Sequence, residues 1–240
     1  MLKKLKIAGA VAATVLTTAT SFAVAPQEPL DTVNRQPVPR WSWQVKNNGE
    51  LTITLPGNSY ALKTRMSYPD MPNEAWYLIP GNNVKVSRDG EKAVVDFQCK
   101  YYTLHREIQT AGHKLVVKDT YKNITSGDLG IAFDNVLTPA KIPAKDNILI
   151  AGCYKPGSAP LPDSPAQNST IFFEHPDSAL AMVLEDDFYR LQAALKKSAG
   201  RGAVQNRSFG LPSNKSYTFE FSFYPIGKGD YWDFINVLIT

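Results

Sequence analysis

The stretch Ser216-Tyr217-Thr218-Phe219-Glu220-Phe221-Ser222-Phe223 alternates polar and aromatic residues without a break. Side chains on a strand point to opposite faces in turn, so all four rings share one face and the polar residues the other. The same period recurs upstream. Leu51, Ile53 and Leu55 alternate with threonines, and Tyr60, Leu62, Met66 and Tyr68 share a parity that Lys63 and Arg65 oppose. Ala93, Val95, Phe97, Cys99 and Tyr101 form another set. Further strands are predicted near 76–79, 114–123, 129–137, 147–152, 170–173, 179–185, 189–194 and 203–209. Ala179–Leu184 is apolar on both parities, which predicts a central strand. Turn residues separate these runs, as in Asn47-Asn48-Gly49, Pro56-Gly57-Asn58, Arg88-Asp89-Gly90 and Ser126-Gly127-Asp128. About a dozen strands in one stretch exceed an immunoglobulin module. The expected fold class is all-β, a large antiparallel sandwich of two packed sheets.

Composition agrees. The 240 residues are 43% hydrophobic and 20% charged, which excludes a disordered chain, a collagen-like repeat and a coiled coil. The formal charge is +4, and Lys3, Lys4 and Lys6 supply three of those positives within the leader. The rest is nearly neutral, which argues against nucleic acid as a partner.

Four segments follow. Residues 1–25 read as a secretory signal peptide: a basic start, an apolar run Ile7–Leu16, and small residues at Ser21-Phe22-Ala23 or Ala23-Val24-Ala25 for cleavage. The run is about half the roughly 20 residues of a spanning helix, so no transmembrane anchor is expected. The chain is read as exported, to the periplasm or beyond. Residues 26–40 are a proline-rich linker, and 41–227 are the sandwich. Within it, Tyr154–Asn168 is a long irregular loop. Residues 228–240 read as the start of a helix. Asp230 is its expected N-cap, and 231, 234, 235 and 238 are apolar at helical spacing. That helix is expected to have no partner within the sandwich and to lead into a missing downstream domain. An oxidising compartment permits a Cys99–Cys153 disulfide, closing a loop of about 54 residues worth ~3–4 kcal/mol. Burial as a free thiol explains Cys99 equally well.

Two motifs carry a resemblance. The first is Val117-Lys-Asp-Thr-Tyr-Lys-Asn123-Ile-Thr followed by Gly127-Asp-Leu-Gly130-Ile, a strand, an Asn-x-Thr turn and a second strand. The second is Leu211-Pro-Ser-Asn-Lys-Ser-Tyr-Thr-Phe-Glu-Phe-Ser-Phe-Tyr-Pro225, closed by Gly229-Asp-Tyr-Trp-Asp-Phe-Ile-Asn236. Together they resemble the supersandwich, or galactose-mutarotase-like, N-terminal domains of large exported bacterial glycoside-hydrolase-like proteins. The resemblance implies carbohydrate as a partner and a catalytic barrel downstream.

The chemistry offers few active-site patterns. Mutarotases of this class use histidines and a carboxylate around the anomeric oxygen, and His105, His175 and Glu220 are the residues that fit such a set on paper. Their sequence contexts do not match the family motif. His113 sits in a glycine turn. Glu185, Asp186 and Asp187 form the one acidic cluster and read as a charged strand end at a hairpin. No nucleophile elbow, phosphate loop or metal motif is present, and no metal or cofactor is expected. Flat aromatic faces stack on the apolar faces of sugars. In Trp76-Tyr77 and Tyr101-Tyr102 one neighbour of each pair is expected to face away from the core. The leading expectation is a non-catalytic, carbohydrate-binding or barrel-supporting domain. The alternatives are a mutarotase-like enzyme and a stand-alone structural surface protein.

Overall fold

A computed structural model describes residues 39–69, 76–78, 83–142, 148–151 and 169–239. The leader, nearly all of the linker, Cys153 and the loop 154–168 lie outside the described residues. The elements in chain order are β1 (Ser42–Val45), β2 (Leu51–Leu55), β3 (Asn58–Ser67), β4 (Trp76–Leu78), β5 (Val84–Asp89), β6 (Lys92–Gln98), β7 (Tyr102–Ala111) and β8 (Lys114–Asn123). They continue with β9 (Leu129–Pro139), β10 (Ile148–Ile150), β11 (Thr170–His175), β12 (Ser178–Leu184), α1 (Asp187–Gln192), β13 (Ala194–Ser198), β14 (Arg201–Leu211), β15 (Ser216–Ile226) and α2 (Tyr231–Ile239).

The strands form two antiparallel sheets. One has seven strands in the order β1-β2-β3-β9-β14-β13, with β4 paired to β3. β9 takes one edge of β3, so β2 and β4 lie end to end along the other. The second sheet has eight strands in the order β10-β11-β12-β15-β8-β7-β6-β5. The two sheets enclose one core, to which both contribute: Leu62, Phe133 and Val204 from one, Leu104, Tyr121 and Phe219 from the other. β12 lies between β11 and β15 and is buried on both faces, as its double apolar parity requires.

Three local readings are corrected. The run 93–101 is not one strand. β6 ends at Gln98, and the Cys99 amide donates to the Tyr102 carbonyl, which closes a tight turn. Residues 189–194 are not a strand either. Asp186 caps α1 by accepting from the Tyr189 amide at 2.7 Å, so the acidic cluster starts a helix instead of ending a hairpin. The C-terminal helix is not without a partner: Tyr231 and Phe234 pack on Phe172 and Tyr224, against the outer face of the eight-stranded sheet. Its cap is reciprocal. Asp230 Oδ1 accepts from the Trp232 and Asp233 amides, and Asp233 Oδ2 accepts from the Asp230 amide.

The Asn-x-Thr turn after β8 works through one side chain. Asn123 is fully buried, donates to the carbonyls of Gly127 and Leu211, and accepts from the amide and hydroxyl of Thr125. All its hydrogen-bonding capacity is filled, which is why an asparagine can be buried there.

One charged pair lies inside the sandwich. Arg106 and Asp119 are cross-strand partners on β7 and β8, each 0% exposed. Arg106 Nε donates to Asp119 Oδ1 and Nη2 to Oδ2, both at 2.6 Å. Nη2 also reaches across the core to Thr64 Oγ1 at 2.8 Å and Asn135 Oδ1 at 3.2 Å. Burial by itself would lower the Arg106 pKa, but the Asp119 carboxylate more than offsets it and holds the guanidinium above its ordinary value. Lys114, Glu185 and Tyr224 make a second, half-buried group, with Lys114 Nζ 2.9 Å from Glu185 Oε1 and the Tyr224 hydroxyl donating to the same oxygen.

Two predictions follow from these groups. Arg106→Ala strands a buried carboxylate and is expected to cost about 3–5 kcal/mol in urea unfolding. The double change Arg106→Met, Asp119→Leu is expected to restore most of that loss; an unshifted midpoint for Arg106→Ala would sink this account of the pair. The second concerns pH. Burial alone would raise the Glu185 pKa, but hydrogen bonds from Lys114 and Tyr224 outweigh it and hold the carboxyl below 4.5. The folded state thus binds its proton less readily than the unfolded chain. Its stabilisation is complete above about pH 4.5 and fades as pH falls through the lower folded value. Unfolding midpoints measured from pH 7 to pH 3 should therefore fall less steeply for Glu185→Gln than for the natural chain.

Candidate functional site

The register of the seven-stranded sheet builds a cleft on its outer face. Thr64 and Asn135 point into the core, so their neighbours Arg65 and Asp134 point outward. Arg65 on β3, Asp134 on β9 and Gln205 on β14 are direct cross-strand partners in one row. Arg65 Nη2 donates to Asp134 Oδ2 at 2.6 Å, and Gln205 Nε2 donates to the same oxygen at 3.1 Å. Asp134 is 1% and Gln205 8% exposed. Arg65 Nε, Asp134 Oδ1 and Gln205 Oε1 are buried and have no hydrogen-bond partner among the described residues.

The next row is Lys63, Val136, Ala203 and Lys196. Beyond it lie Ala61 paired with Thr138, and Arg201 paired with Ser198. These residues, with Glu50, Ala199 and the first row's Arg65 and Gln205, line a cleft of about 580 Å3. The β13–β14 hairpin bounds one side. Its two-residue turn, Ala199-Gly200, has φ of 47° and 75°. Positive φ at both positions is the turn that matches the twist of a hairpin. The opposite side carries Glu50, which holds the Lys63 ammonium at 3.2 Å and also pairs with Lys46. Burial pushes the Glu50 carboxyl up, but these two lysines hold it below its ordinary value. Short side chains thus floor the cleft, a polar row crosses one end, and cations stand on both sides.

The residues expected from sequence do not meet there. His105 and Glu220 lie on the outer face of the eight-stranded sheet, on the other side of the sandwich. They are two strands and one row apart, roughly 12 Å by strand spacing. His105 Nδ1 is 2.7 Å from Asp96 Oδ1, and Glu220 pairs with Lys118 at 3.1 Å. His175 ends β11, where its Nδ1 accepts from the Asp177 amide. Its ring packs on Gly57, whose φ of 83° suits glycine and where a Cβ would lie 2.5 Å from the ring. His113 is in the β7–β8 turn, its ring 5.8 Å from that of Tyr224. Glu185 and Asp186 are held by Lys114 and by the Tyr217 hydroxyl, and no cluster of three or more metal-ligating side chains occurs among the described residues.

Of the aromatic candidates, Tyr102 is fully buried and donates its hydroxyl to the Ser67 carbonyl, so it presents no surface for stacking. Tyr101, which shares the apolar parity of Val95 and Phe97, packs half-buried against the core at the turn, so neither member of the pair stands out from the sheet as a free stacking face. Trp76 and Tyr77 pair with Ser67 and Met66 on β3, next to the strand segment that carries Arg65; their side chains lie outside the described residues. Cys99 is half-buried and its thiol donates to the Tyr102 carbonyl; its expected partner Cys153 lies outside the described residues. Sequence reasoning missed the cleft. Its visible signal was the wet parity of Lys63 and Arg65, but the pairing that adds Asp134 and Gln205 is long-range.

No protein-family model matches the sequence, and no curated protein matches it. Solved structures do. The polysaccharide lyase BACCELL_00875 superposes with a TM-score of 0.50 at 14% identity over 83% of this chain, which spans only 34% of that protein. A putative aldose 1-epimerase from Klebsiella pneumoniae subsp. pneumoniae MGH 78578 gives 0.52 at 9% identity, covering 82% of this chain and 79% of the epimerase. A galactose mutarotase-like protein from Lactobacillus casei ATCC 334 gives 0.48 at 11%, covering 78% and 97%. At such identities the likeness is one of fold. No described helix is long and apolar enough to cross a membrane. With its two packed antiparallel sheets and these neighbours, the chain has the galactose-mutarotase-like β-sandwich fold.

Proposed function

We propose that the chain is an exported, non-catalytic sandwich domain of a carbohydrate-active protein. It binds carbohydrate in the cleft of the seven-stranded sheet and supports a catalytic barrel that follows α2. The observation that carries this reading is the row Arg65-Asp134-Gln205, whose buried polar atoms are left without partners at the foot of a cleft with a short-chained floor. Among the described residues nine buried side-chain atoms lack a partner, and three of them fall together in this one row beside a cleft, where convergent polar groups suit a ligand. The floor of Ala61, Val136 and Ala203 suits the apolar face of a sugar ring. The neighbour named as a polysaccharide lyase, of which this chain spans a third, supports a domain role within a larger carbohydrate-active protein. The basic and apolar leader supports export.

A non-catalytic role fits the dispersal of His105, His175 and Glu220, each held by its own local partner. General acid–base catalysis needs both groups within reach of one oxygen.

Val136→Trp would place an indole on the cleft floor. Retention on insoluble polysaccharides, and binding across a glycan array, should be lost in this variant while its melting temperature stays close to that of the natural chain. Retention of the natural chain by no glycan would remove the binding role and leave only barrel support. Anomerisation of glucose or galactose followed by NMR should run at the uncatalysed rate; a faster rate abolished by His105→Ala would replace this reading with the mutarotase one.

A further inference from the structure

The cleft's charge says more than its shape. Lys63, Arg65, Lys196 and Arg201 line it, against Glu50 in the lining and Asp134 beneath it. The cations outnumber the carboxylates two to one, on a chain that is nearly neutral once its leader is set aside. Arg201, at the tip of the β13–β14 hairpin, has no acidic partner among the described residues. Lys63 and Lys196 stand three strand spacings apart in one row, about 14 Å, with only Val136 and Ala203 between them. With Lys63 paired to Glu50 and Arg65 to Asp134, the cleft keeps a surplus of two positive charges, from Lys196 and Arg201, and a net positive cleft concentrates anions.

The unfilled polar atoms narrow the ligand. Gln205 Oε1 and Asp134 Oδ1 are acceptors and need a donor, while Arg65 Nε is a donor and needs an acceptor. A simple anion has no hydrogen to give the two acceptors. A neutral sugar has hydroxyls for them but no charge to match the rim. Arg65 is a planar fork already bound on one side to a carboxylate, the geometry that pairs with a second planar carboxylate.

We infer that the cleft is selective for a sugar chain bearing carboxylates, that is, a uronic-acid oligosaccharide, from a net positive lining, the unfilled acceptor of Gln205 and a short-chained floor on one sheet face. This rests on the carbohydrate-binding reading above. The ring face lies on Ala61, Val136 and Ala203. The carboxylate faces Arg65 and the cationic rim, and ring hydroxyls donate toward Gln205.

Calorimetric titration of the whole chain tests it. The probes are tetramers of galacturonate, mannuronate, guluronate and alternating glucuronate, their methyl esters, cellotetraose, and dextran sulfate. At least one uronate tetramer should bind, its methyl ester at least tenfold more weakly. Lys196→Glu and Arg201→Glu, both on the hairpin, should each lose at least tenfold with an unchanged melting temperature. Equal affinity for acid and ester, or no loss in either variant, overturns the inference. Dextran sulfate binding as tightly as the best uronate also overturns it, since the cleft would then be a general polyanion surface. Cleft-dependent binding of cellotetraose with no uronate bound removes this inference and leaves the carbohydrate reading standing. No oligosaccharide bound at all removes both.

Discussion

The contact on which the rest of the sandwich depends is the buried guanidinium of Arg106. Its carboxylate partner Asp119 belongs to the same sheet, and its two further acceptors, Thr64 and Asn135, belong to the other. Thr64 and Asn135 are themselves cross-strand partners, 2.6 Å apart. Two cross-strand pairs therefore face each other through an apolar core. A buried ion pair adds little net stability over an apolar packing of the same volume. What it adds is a penalty on every other arrangement. A slip of one residue in β3, β7, β8 or β9 would turn one of these groups to the outside and leave a charge without its partner. Asn135 passes the constraint to α1, since its amide donates to the Tyr189 hydroxyl at 3.2 Å.

The cleft is the reverse side of that constraint. Thr64 and Asn135 are followed and preceded in the chain by Arg65 and Asp134, so a register fixed inside the core fixes the polar row outside it. The core row is satisfied by an internal cation, whereas the outer row keeps three atoms unfilled. The same two strands thus carry a filled polar pair on one face and a row with unfilled atoms on the other, while the guanidinium that fills the inner pair itself keeps Nη1 without a partner among the described residues. Placement from behind fixes where Arg65 and Gln205 stand on the outer face, and the proposed ligand would meet them already ordered, at a lower entropic cost.

Strand content was legible in the chain because period two needs only local alternation. β8 spans the very residues that the pattern marked, and β12 is central as its double apolar parity required. Elements whose signal depends on one polar contact were misread. Asp186 starts α1 only because it caps the Tyr189 amide, and the turn at Cys99–Tyr101 exists because the Cys99 amide meets the Tyr102 carbonyl. Tyr102 carries a polar tip and an aromatic body, so its sequence context could not tell a surface ring from a core one. Its hydroxyl is satisfied by the Ser67 carbonyl, which is what allows it to be buried.

By itself the sequence determined a large antiparallel sandwich, a wet face on β3 carrying Lys63 and Arg65, and an Asn-x-Thr turn built round Asn123. All three are set by neighbours a few residues away, where alternation and side-chain-to-backbone bonds act. The tertiary structure alone decided that Arg65, Asp134 and Gln205 form one row, that Lys196 and Arg201 close the far side, and that His105 and Glu220 stand on the opposite face of the molecule. Those relations join residues some seventy or more positions apart, as in Arg65–Asp134 and Asp134–Gln205. They depend on which strand lies beside which, and strand order follows from how two sheets bury a shared core rather than from any local period.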